Sequence, residues 1–320
     1  MSKILITGGA GFIGCNFINY WHEKHPNDEL VCIDKLTYAG VNKKEVKDKC
    51  EFLHADVRSV CNYEENSFDY IIHFAAETHV DNSIRDADPF IQTNIEGTYE
   101  LLKFAKANTD LKKFIHISTD EVYGDTRQGG IVPKNTPFDE YDILKPSNPY
   151  SASKVAGEAL VQSYIRTFGF PAIIVRPSNN YGFYQFEEKF TPKIIKQMIK
   201  KKPIHISKNN PMRDWLWVED TCRAIEILLD RGQVGEIYNV AGNDEQTIEN
   251  IAKEINRLGG NYSEILADWD RPGEDLRYYI NDDKIRSLGF KNEGRILDKL
   301  PDMVDFYTVK FEEEKARGKK

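Results

Sequence analysis

Three groups of residues in this chain have types and spacings that could do chemistry. The first is Thr7-Gly8-Gly9-Ala10-Gly11-Phe12-Ile13-Gly14, with its glycines as Gly8-x-x-Gly11-x-x-Gly14. In a strand-to-helix turn the first glycine permits the tight bend, the second lets backbone approach a pyrophosphate, and the third lets helix pack on strand. The free N–H groups of a helix opening at Phe12, Ile13 and Gly14 then favour phosphate. A glycine triplet alone is an ordinary turn. Here the apolar run Lys3–Ile6 precedes it, a helical stretch follows, and Asp34 closes the next apolar run 20 residues after Gly14. That joint context reads as a dinucleotide site. Asp34 would accept from both adenine-ribose hydroxyls and repel a 2′-phosphate, which favours NAD over NADP; the adjacent Lys35 moderates that preference. Asp56-Val57, after the third run, is placed to meet the adenine, with a plain surface carboxylate as the alternative.

The second group is Tyr-x-x-x-Lys, which occurs at Tyr20/Lys24, Tyr99/Lys103, Tyr141/Lys145 and Tyr150/Lys154. Tyr20 and Tyr99 fall inside helical stretches that should cover a sheet, so packing and a solvated lysine explain them. Tyr141/Lys145 runs straight into Pro146, which disfavours helix at the residue before it. Only Tyr150 follows a proline and opens a long helical stretch, where residues four apart share a face. An ammonium beside that phenol should lower its pKa and make Tyr150 a base for an alcohol being oxidised. The third group, Ser118-Thr119-Asp120-Glu121-Val122-Tyr123-Gly124, ends another apolar run. It reads equally as a turn or as an acid and a base whose environments are tuned apart.

The elements that must position these groups alternate. Apolar, β-branched runs stand at Lys3–Ile6, Leu30–Ile33, Tyr70–Phe74, Lys113–Ile117 and Ala172–Val175, with Glu51–Leu53 weaker. Helical periodicity lies between them, as in Phe90–Asn108, where Ile91, Ile95, Thr98, Leu101, Leu102 and Ala105 share a face. This predicts an α/β fold, a Rossmann-type doubly wound parallel sheet binding ligands at the carboxyl ends of its strands. Beyond residue 180 the rhythm loosens: Lys189–Lys201, Val218–Leu229 and Thr247–Leu258 read as helices and Glu236–Val240 as a strand. We expect residues 1–180 to form a dinucleotide-binding domain and 181–320 a smaller C-terminal substrate lobe. The boundary is soft, because 236–240 can return to the main sheet. The charged tail from Lys310 is expected to fray.

Composition narrows the classes. A chain of 320 residues, 40% hydrophobic, is one large or two joined domains. With 43 Lys+Arg against 51 Asp+Glu, net −8, it lacks the basic character of a nucleic-acid binder. No apolar run approaches the ~18 residues of a membrane span, and the N-terminus lacks the pattern of a signal peptide. Five cysteines without Cys-x-x-Cys spacing read as reduced packing residues, with no metal site. A soluble, cytoplasmic protein is the expectation.

Taken together, the glycine loop, Asp34, Thr119-Asp120-Glu121 and Tyr150-x-x-x-Lys154 resemble the extended short-chain dehydrogenase/reductases, and more narrowly the nucleoside-diphosphate-glucose 4,6-dehydratases. The resemblance continues through Asp34-Lys-Leu-Thr-Tyr-Ala-Gly40, Ala75-Ala-Glu-Thr-His-Val-Asp81, Asn94-Ile-Glu-Gly97-Thr98, Arg176-Pro-Ser-Asn-Asn-Tyr-Gly182, Arg213-Asp-Trp-Leu and Asp270-Arg271-Pro-Gly-Glu-Asp275. It implies bound NAD, with Ala75 among the cofactor residues, and a nucleotide sugar (UDP-glucose or dTDP-glucose) as substrate. Tyr150 would take the C4 hydroxyl proton, Lys154 would hold the nicotinamide ribose, and Thr119 the C4 oxygen. Glu121 would remove the C5 proton while Asp120 protonates the departing C6 hydroxyl, yielding a 4-keto-6-deoxy sugar. Asn180, Lys189, Arg213, Asn239 and Arg271 correspond to diphosphate and nucleoside contacts. Relatives pair through helices equivalent to Phe90–Asn108 and Ser151–Phe168, which implies a homodimer. Sister 4-epimerases usually have small residues at the acid pair, and a non-catalytic NAD-binding regulator need not keep all four of Tyr150, Lys154, Asp120 and Glu121. In one respect the chain departs from the dTDP-glucose pattern. Ile204-His-Ile-Ser207 replaces Leu-Pro-Val-Tyr, Glu274 replaces a histidine, and Thr78-His-Val-Asp-Asn82-Ser83 looks like the plant UDP-glucose enzymes.

Overall fold

The computed structural model describes residues 1–63, 67–126 and 136–317. Its strands, in chain order, are β1 Lys3–Thr7, β2 Glu29–Asp34, β3 Glu51–His54, β4 Tyr70–His73, β5 Lys113–Ile117, β6 Ala172–Pro177, β7 Asn179–Tyr181, β8 Ile204–Ser207, β9 Met212–Trp217, β10 Ile237–Val240, β11 Glu245–Thr247 and β12 Ile265–Trp269. Seven of them form one sheet in the order β10-β6-β5-β4-β1-β2-β3, with every pairing parallel. Parallel strands covered by helices on both faces are buried on both, so they appear as continuous apolar runs. Ile4 and Ile6 of β1 join one core with Cys32, Ile72, Ile115 and Val175, whereas Leu5 joins the other with Val31, Ile71, Phe114 and Ile174.

The helices that matter to the site are α1 Phe12–Lys24, α2 Thr98–Lys106, α3 Pro149–Phe168, α4 Phe190–Ile199, α5 Val218–Arg231, α6 Ile248–Leu258 and α7 Ile296–Arg317. The start of α3 is fixed three ways. Pro149 opens it, the Asn148 side chain accepts from Ser151 N–H (2.9 Å), and Ser151 Oγ accepts from Asn148 N–H (3.3 Å). At its far end Gly169, at φ +61°, turns the chain away.

After β6 the chain leaves the main sheet, builds a second body, and comes back as β10 beside β6. The second body contains β11-β9-β7 and β12-β8, and its own core of Tyr181, Ile194, Trp215, Trp217, Ile251 and Tyr307.

Two elements differ from the sequence reading. Phe90–Asn108 is not one regular helix: Ile91–Gly97 is a wider π-type turn leading into α2. There Asn94 is drawn inward, donating to Glu77 carbonyl (3.0 Å) and Ser153 Oγ (2.8 Å) and accepting from Glu77 N–H (2.9 Å). Such turns form where a side chain must leave the regular ladder. The tail from Lys310 does not fray; α7 continues to Arg317, and Phe311 packs on the second core. Phe311 is the tail residue that packs on this core, while residues 312–316 are exposed. Residues 318–320 lie outside the described residues.

Candidate active site

The loop between β1 and α1 is close-packed. Gly8 sits at φ +76°, and a Cβ there would lie 2.6 Å from Ala75 N; one at Gly14 would lie 2.4 Å from Gly8 O. Only bare backbone fits. That leaves the N-terminus of α1 open to a phosphate at the carboxyl end of the sheet. Asp34, at the end of β2, is buried, and its carboxylate accepts from Ala10 N–H (2.8 Å) and Leu36 N–H (2.7 Å). Each oxygen keeps a further lone pair for a hydroxyl. Lys35 Nζ lies 2.9 Å from Asp56, which Arg58 also clasps at 2.8 Å. Burial alone would raise the Asp56 carboxyl, but the two cations more than offset it and hold it well below the usual range. The charge of Lys35 is therefore already answered, which removes most of its attraction for a 2′-phosphate.

Gly8, Gly11, Asp34, Lys35, Asp56, Val57 and Ala75 line one end of a groove. Its middle is lined by Gly11, Phe12, Ile13, Gly14, Thr119, Glu121, Tyr150 and Lys154. Gly11, Ala39, Phe74 and Ala76 belong to both parts. The far end, joined through Glu121, Asn180 and Lys189, adds Arg213 and Arg271. An adenine-ribose end, a reaction centre and a cationic end thus follow one another along the edge of the sheet. The bare-backbone turn and the free lone pairs of Asp34 fit a dinucleotide such as NAD.

At the reaction centre Tyr150 and Lys154 are both buried. Burial pushes the Tyr150 phenol above its ordinary value; the Glu121 carboxylate adds to this and a Thr119 hydrogen bond opposes it. The lowering of this phenol by Lys154 expected from sequence is therefore absent in this geometry. Lys154 Nζ instead donates to the Ile117 carbonyl (2.7 Å), and burial brings its own pKa down to about 8. The decoy pairs lie elsewhere. Tyr20 donates to Glu226 (2.5 Å), Tyr99 is an exposed residue of α2, and Tyr141 is 73% exposed beside Glu236 and Lys284.

The acid pair follows β5 in a 3₁₀ turn, Asp120–Tyr123, which Thr119 caps by accepting from Glu121 N–H (3.3 Å). Asp120 is 1% exposed. Burial, then the Glu121 and Asp214 carboxylates, drives its carboxyl well above the ordinary value. Its Oδ1 accepts from Thr119 Oγ1 (3.2 Å), and its Oδ2 has no partner among the described residues. Burial also raises Glu121, but Arg213 opposes the rise and the side chain lines the groove.

A scan against family models matches residues 4–241 to the NAD dependent epimerase/dehydratase family. The chain belongs to that family. It is 42% identical to the dTDP-glucose 4,6-dehydratase of Salmonella typhimurium, over 96% of this chain and 93% of that one. It is 37% identical to a trifunctional UDP-glucose 4,6-dehydratase/UDP-4-keto-6-deoxy-D-glucose 3,5-epimerase/UDP-4-keto-L-rhamnose-reductase of Arabidopsis thaliana, over 96% of this chain and 47% of that one. Among solved structures, DesIV, a dTDP-glucose 4,6-dehydratase from Streptomyces venezuelae with NAD and TYD bound, aligns at TM-score 0.88 and 34% identity, covering 96% of this chain and 97% of that one.

In this member of the family the cationic end is held by specific ties. Lys189 Nζ donates to the Thr78 carbonyl (2.9 Å), Arg213 donates to the Asp275 carbonyl (2.8 Å), and Asn180 accepts from Thr221 (2.5 Å). Arg271 pairs with Asp81 (2.8 Å) and stacks on Trp269. Asn239 does not join them. It is fully buried in β10, accepting from Tyr123 OH (2.8 Å) and donating to the Phe138 and Asn281 carbonyls. With its amide fully engaged, it supports the turn behind the acid pair and touches no part of the groove. The sequence reading missed Tyr278, which lines the groove, donates to Asp275 (2.7 Å) and lies 3.5 Å from Glu121. Its only sequence signal was its place three residues after the Arg271–Asp275 segment.

Proposed function

We propose that the chain is an NAD-dependent nucleoside-diphosphate-glucose 4,6-dehydratase, a hydro-lyase that recycles its cofactor within each turnover. The observation that carries this is the pairing at one strand end. A buried, raised-pKa carboxyl (Asp120) stands beside a carboxylate that lines the groove (Glu121), both next to Tyr150 and Lys154. Gly8, Gly11, Phe12, Ile13, Gly14, Asp34 and Ala75 would hold NAD, with Asp56 and Val57 at the adenine and Lys154 at the nicotinamide ribose. When bound, NAD⁺ takes the C4 hydrogen with its electron pair and later gives it to C6.

Tyr150 accepts the C4 hydroxyl proton while Thr119 holds the oxygen. The Thr119 hydrogen bond, which favours the phenolate, opposes the burial that raises the phenol. The resulting C4 ketone acidifies the C5 hydrogen. Glu121 removes it, and Asp120, kept protonated by burial, protonates the leaving C6 hydroxyl. Lys189, Arg213 and Arg271 answer the diphosphate charge, with Asn180 beside them. An epimerase needs no acid at C6, so the buried Asp120 favours elimination.

Three finer points belong to the same proposal. The nucleotide is UDP. Where an aromatic wall would meet thymine, β8 presents His205, paired with Asp268, and Ser207, which donates to Glu274 (2.5 Å). The chain works in the cytoplasm in 6-deoxysugar synthesis such as that of rhamnose; among the described residues no helix is long and apolar enough to cross a membrane. It acts as a homodimer joined through α2 and α3, whose neighbourhood exposes Ile91, Tyr99 and Phe168. The test is incubation with UDP-glucose and dTDP-glucose separately, reading the alkaline absorbance of a 4-keto product. No product from either overturns the reading.

A further inference from the structure

We propose that Tyr38 is a positioning residue that keeps the dinucleotide in its groove throughout turnover, by bridging two loops that meet at the groove's midpoint. The inference rests on the proposed reaction, in which cofactor reduced in the first half must still be present for the second. A protein that releases it between the halves stops with an oxidised sugar and no reductant.

The two loops come from different bodies of the fold. The first, 35–42, follows β2, and its Ala39 lines both the adenine-ribose end and the reaction centre. The second, 182–189, follows β7; its Phe186 lines the reaction centre and its Glu188 the cationic end. Across the join, Tyr38 OH donates to Glu188 Oε1 (3.0 Å), and the Tyr38 ring meets the Phe186 ring edge-on, with centroids 5.7 Å apart. Asn42 Nδ2 adds a bond to the Tyr184 carbonyl (3.0 Å).

The two sides of this contact are anchored differently. The second loop is held from behind by α7, where Tyr307 OH donates to the Gly182 (2.9 Å) and Gln185 (3.1 Å) carbonyls and Phe306 packs on Phe183 and Tyr184. The first loop is tied at its two ends, where the Lys35 carbonyl accepts from His54 Nε2 (3.1 Å) and Asn42 N–H donates to the Ala10 carbonyl (3.1 Å), while Tyr38 between them is 40% exposed. Each loop also holds a non-glycine residue in the left-handed region, Leu36 at φ +54° and Tyr184 at φ +65°. Strain of this kind persists only where surrounding contacts enforce it, and it concentrates at ligand clamps. The Tyr38–Glu188 bond is thus the cross-link by which the loop backed by α7 holds the exposed middle of the other one shut.

Tyr38→Phe removes the hydroxyl and leaves the ring against Phe186. The measurement is NADH release: protein loaded with NADH is mixed with excess NAD⁺, and the loss of bound-NADH fluorescence is followed without any sugar. A hydrogen bond to a carboxylate at a half-exposed site predicts release about tenfold faster in the variant. Its melting temperature should equal that of the wild type, and Tyr262→Phe, at an exposed tyrosine that does not line the groove, should release at the wild-type rate. With substrate and no added NAD⁺, Tyr38→Phe should lose activity progressively, and added NAD⁺ should restore it. Equal release rates for Tyr38→Phe and wild type overturn this inference and leave the sugar chemistry standing. Wild-type protein that takes up no NADH overturns both.

Discussion

Asp120→Asn gives the sharpest test of the two-stage chemistry. The substitution keeps the size of the side chain and the Thr119 hydrogen bond but leaves an amide that cannot protonate a leaving hydroxyl. Asp120 is 1% exposed, so water has no path to stand in for it. General acid assistance is typically worth about 10²–10⁴-fold. With water excluded we expect the upper part, about 10³–10⁴-fold, or ~4–5 kcal/mol on the elimination barrier. The first stage should survive, because Tyr150, Lys154 and Thr119 are untouched. In stopped flow with UDP-glucose, reduced cofactor should rise at close to the wild-type rate and persist, where in wild type it is transient. The fold should tolerate the change, since burial already holds this carboxyl in its neutral form. Turnover by Asp120→Asn at the wild-type rate, or loss of the reduced-cofactor signal with the melting temperature intact, would refute the assignment of Asp120 as the acid.

Other outcomes follow from the same geometry. Tyr150→Phe should abolish reduced-cofactor absorbance with any nucleotide sugar, while Tyr20→Phe, Tyr99→Phe and Tyr141→Phe keep it; the reverse pattern would mean the wrong tyrosine was chosen. His116 is fully buried without a partner for either ring nitrogen among the described residues, and burial, then the Lys154 ammonium, lowers its pKa well below the ordinary value. Unfolded, it binds a proton below about pH 6.5, so its contribution is full above that pH and falls by ~1.4 kcal/mol per unit as the pH drops toward its depressed native value. Denaturant melts of His116→Phe should show the acid slope reduced by that amount, and an unchanged slope would count against it. For the nucleotide, kcat/KM should favour UDP-glucose over dTDP-glucose by roughly 10- to 200-fold at most, since a methyl in a pocket is worth about 1–3 kcal/mol. A strong preference for dTDP-glucose would remove the nucleotide proposal and leave the dehydration chemistry intact.

What the sequence made legible was local. β1, β2, β4, β5 and β6 of the main sheet are largely buried, so each is a continuous apolar run, whereas the half-exposed edge strand β3 is only a weak one. At Gly8 and Gly14 a Cβ would come within 2.4–2.6 Å of neighbouring backbone, so only glycine fits there. Tyr150 stood out from three decoys because it follows Pro149 and opens a long helical stretch. What stayed hidden was set by tertiary contact. β7 and β11 are three-residue strands whose partners lie 30 or more residues away, too short for alternation to register. Asn239 was assigned to the substrate from resemblance, and no composition rule could show that Tyr123 and two carbonyls already use its amide.

The difference between Asp120 and Glu121 is of this second kind, and it decides the chemistry. Two adjacent carboxylates in a regular strand would point to opposite faces of the sheet, too far apart to serve one sugar carbon skeleton. In a regular α-helix they would splay by about 100° into similar solvent. Here Thr119 is extended (φ −159°, ψ 153°) and the chain then tightens into a single 3₁₀ turn. The Thr119 hydroxyl caps Glu121 N–H, fixing where that turn begins. One carboxyl is thereby driven beneath the groove, among Glu121 and Asp214, where burial favours its neutral form. The next is left at the groove's edge, where Arg213 favours its charge. A donor and an acceptor of protons, needed on neighbouring sugar carbons in the same step, thus come from consecutive residues of one type. The turn that separates them does the work that two distant loops would otherwise have to do.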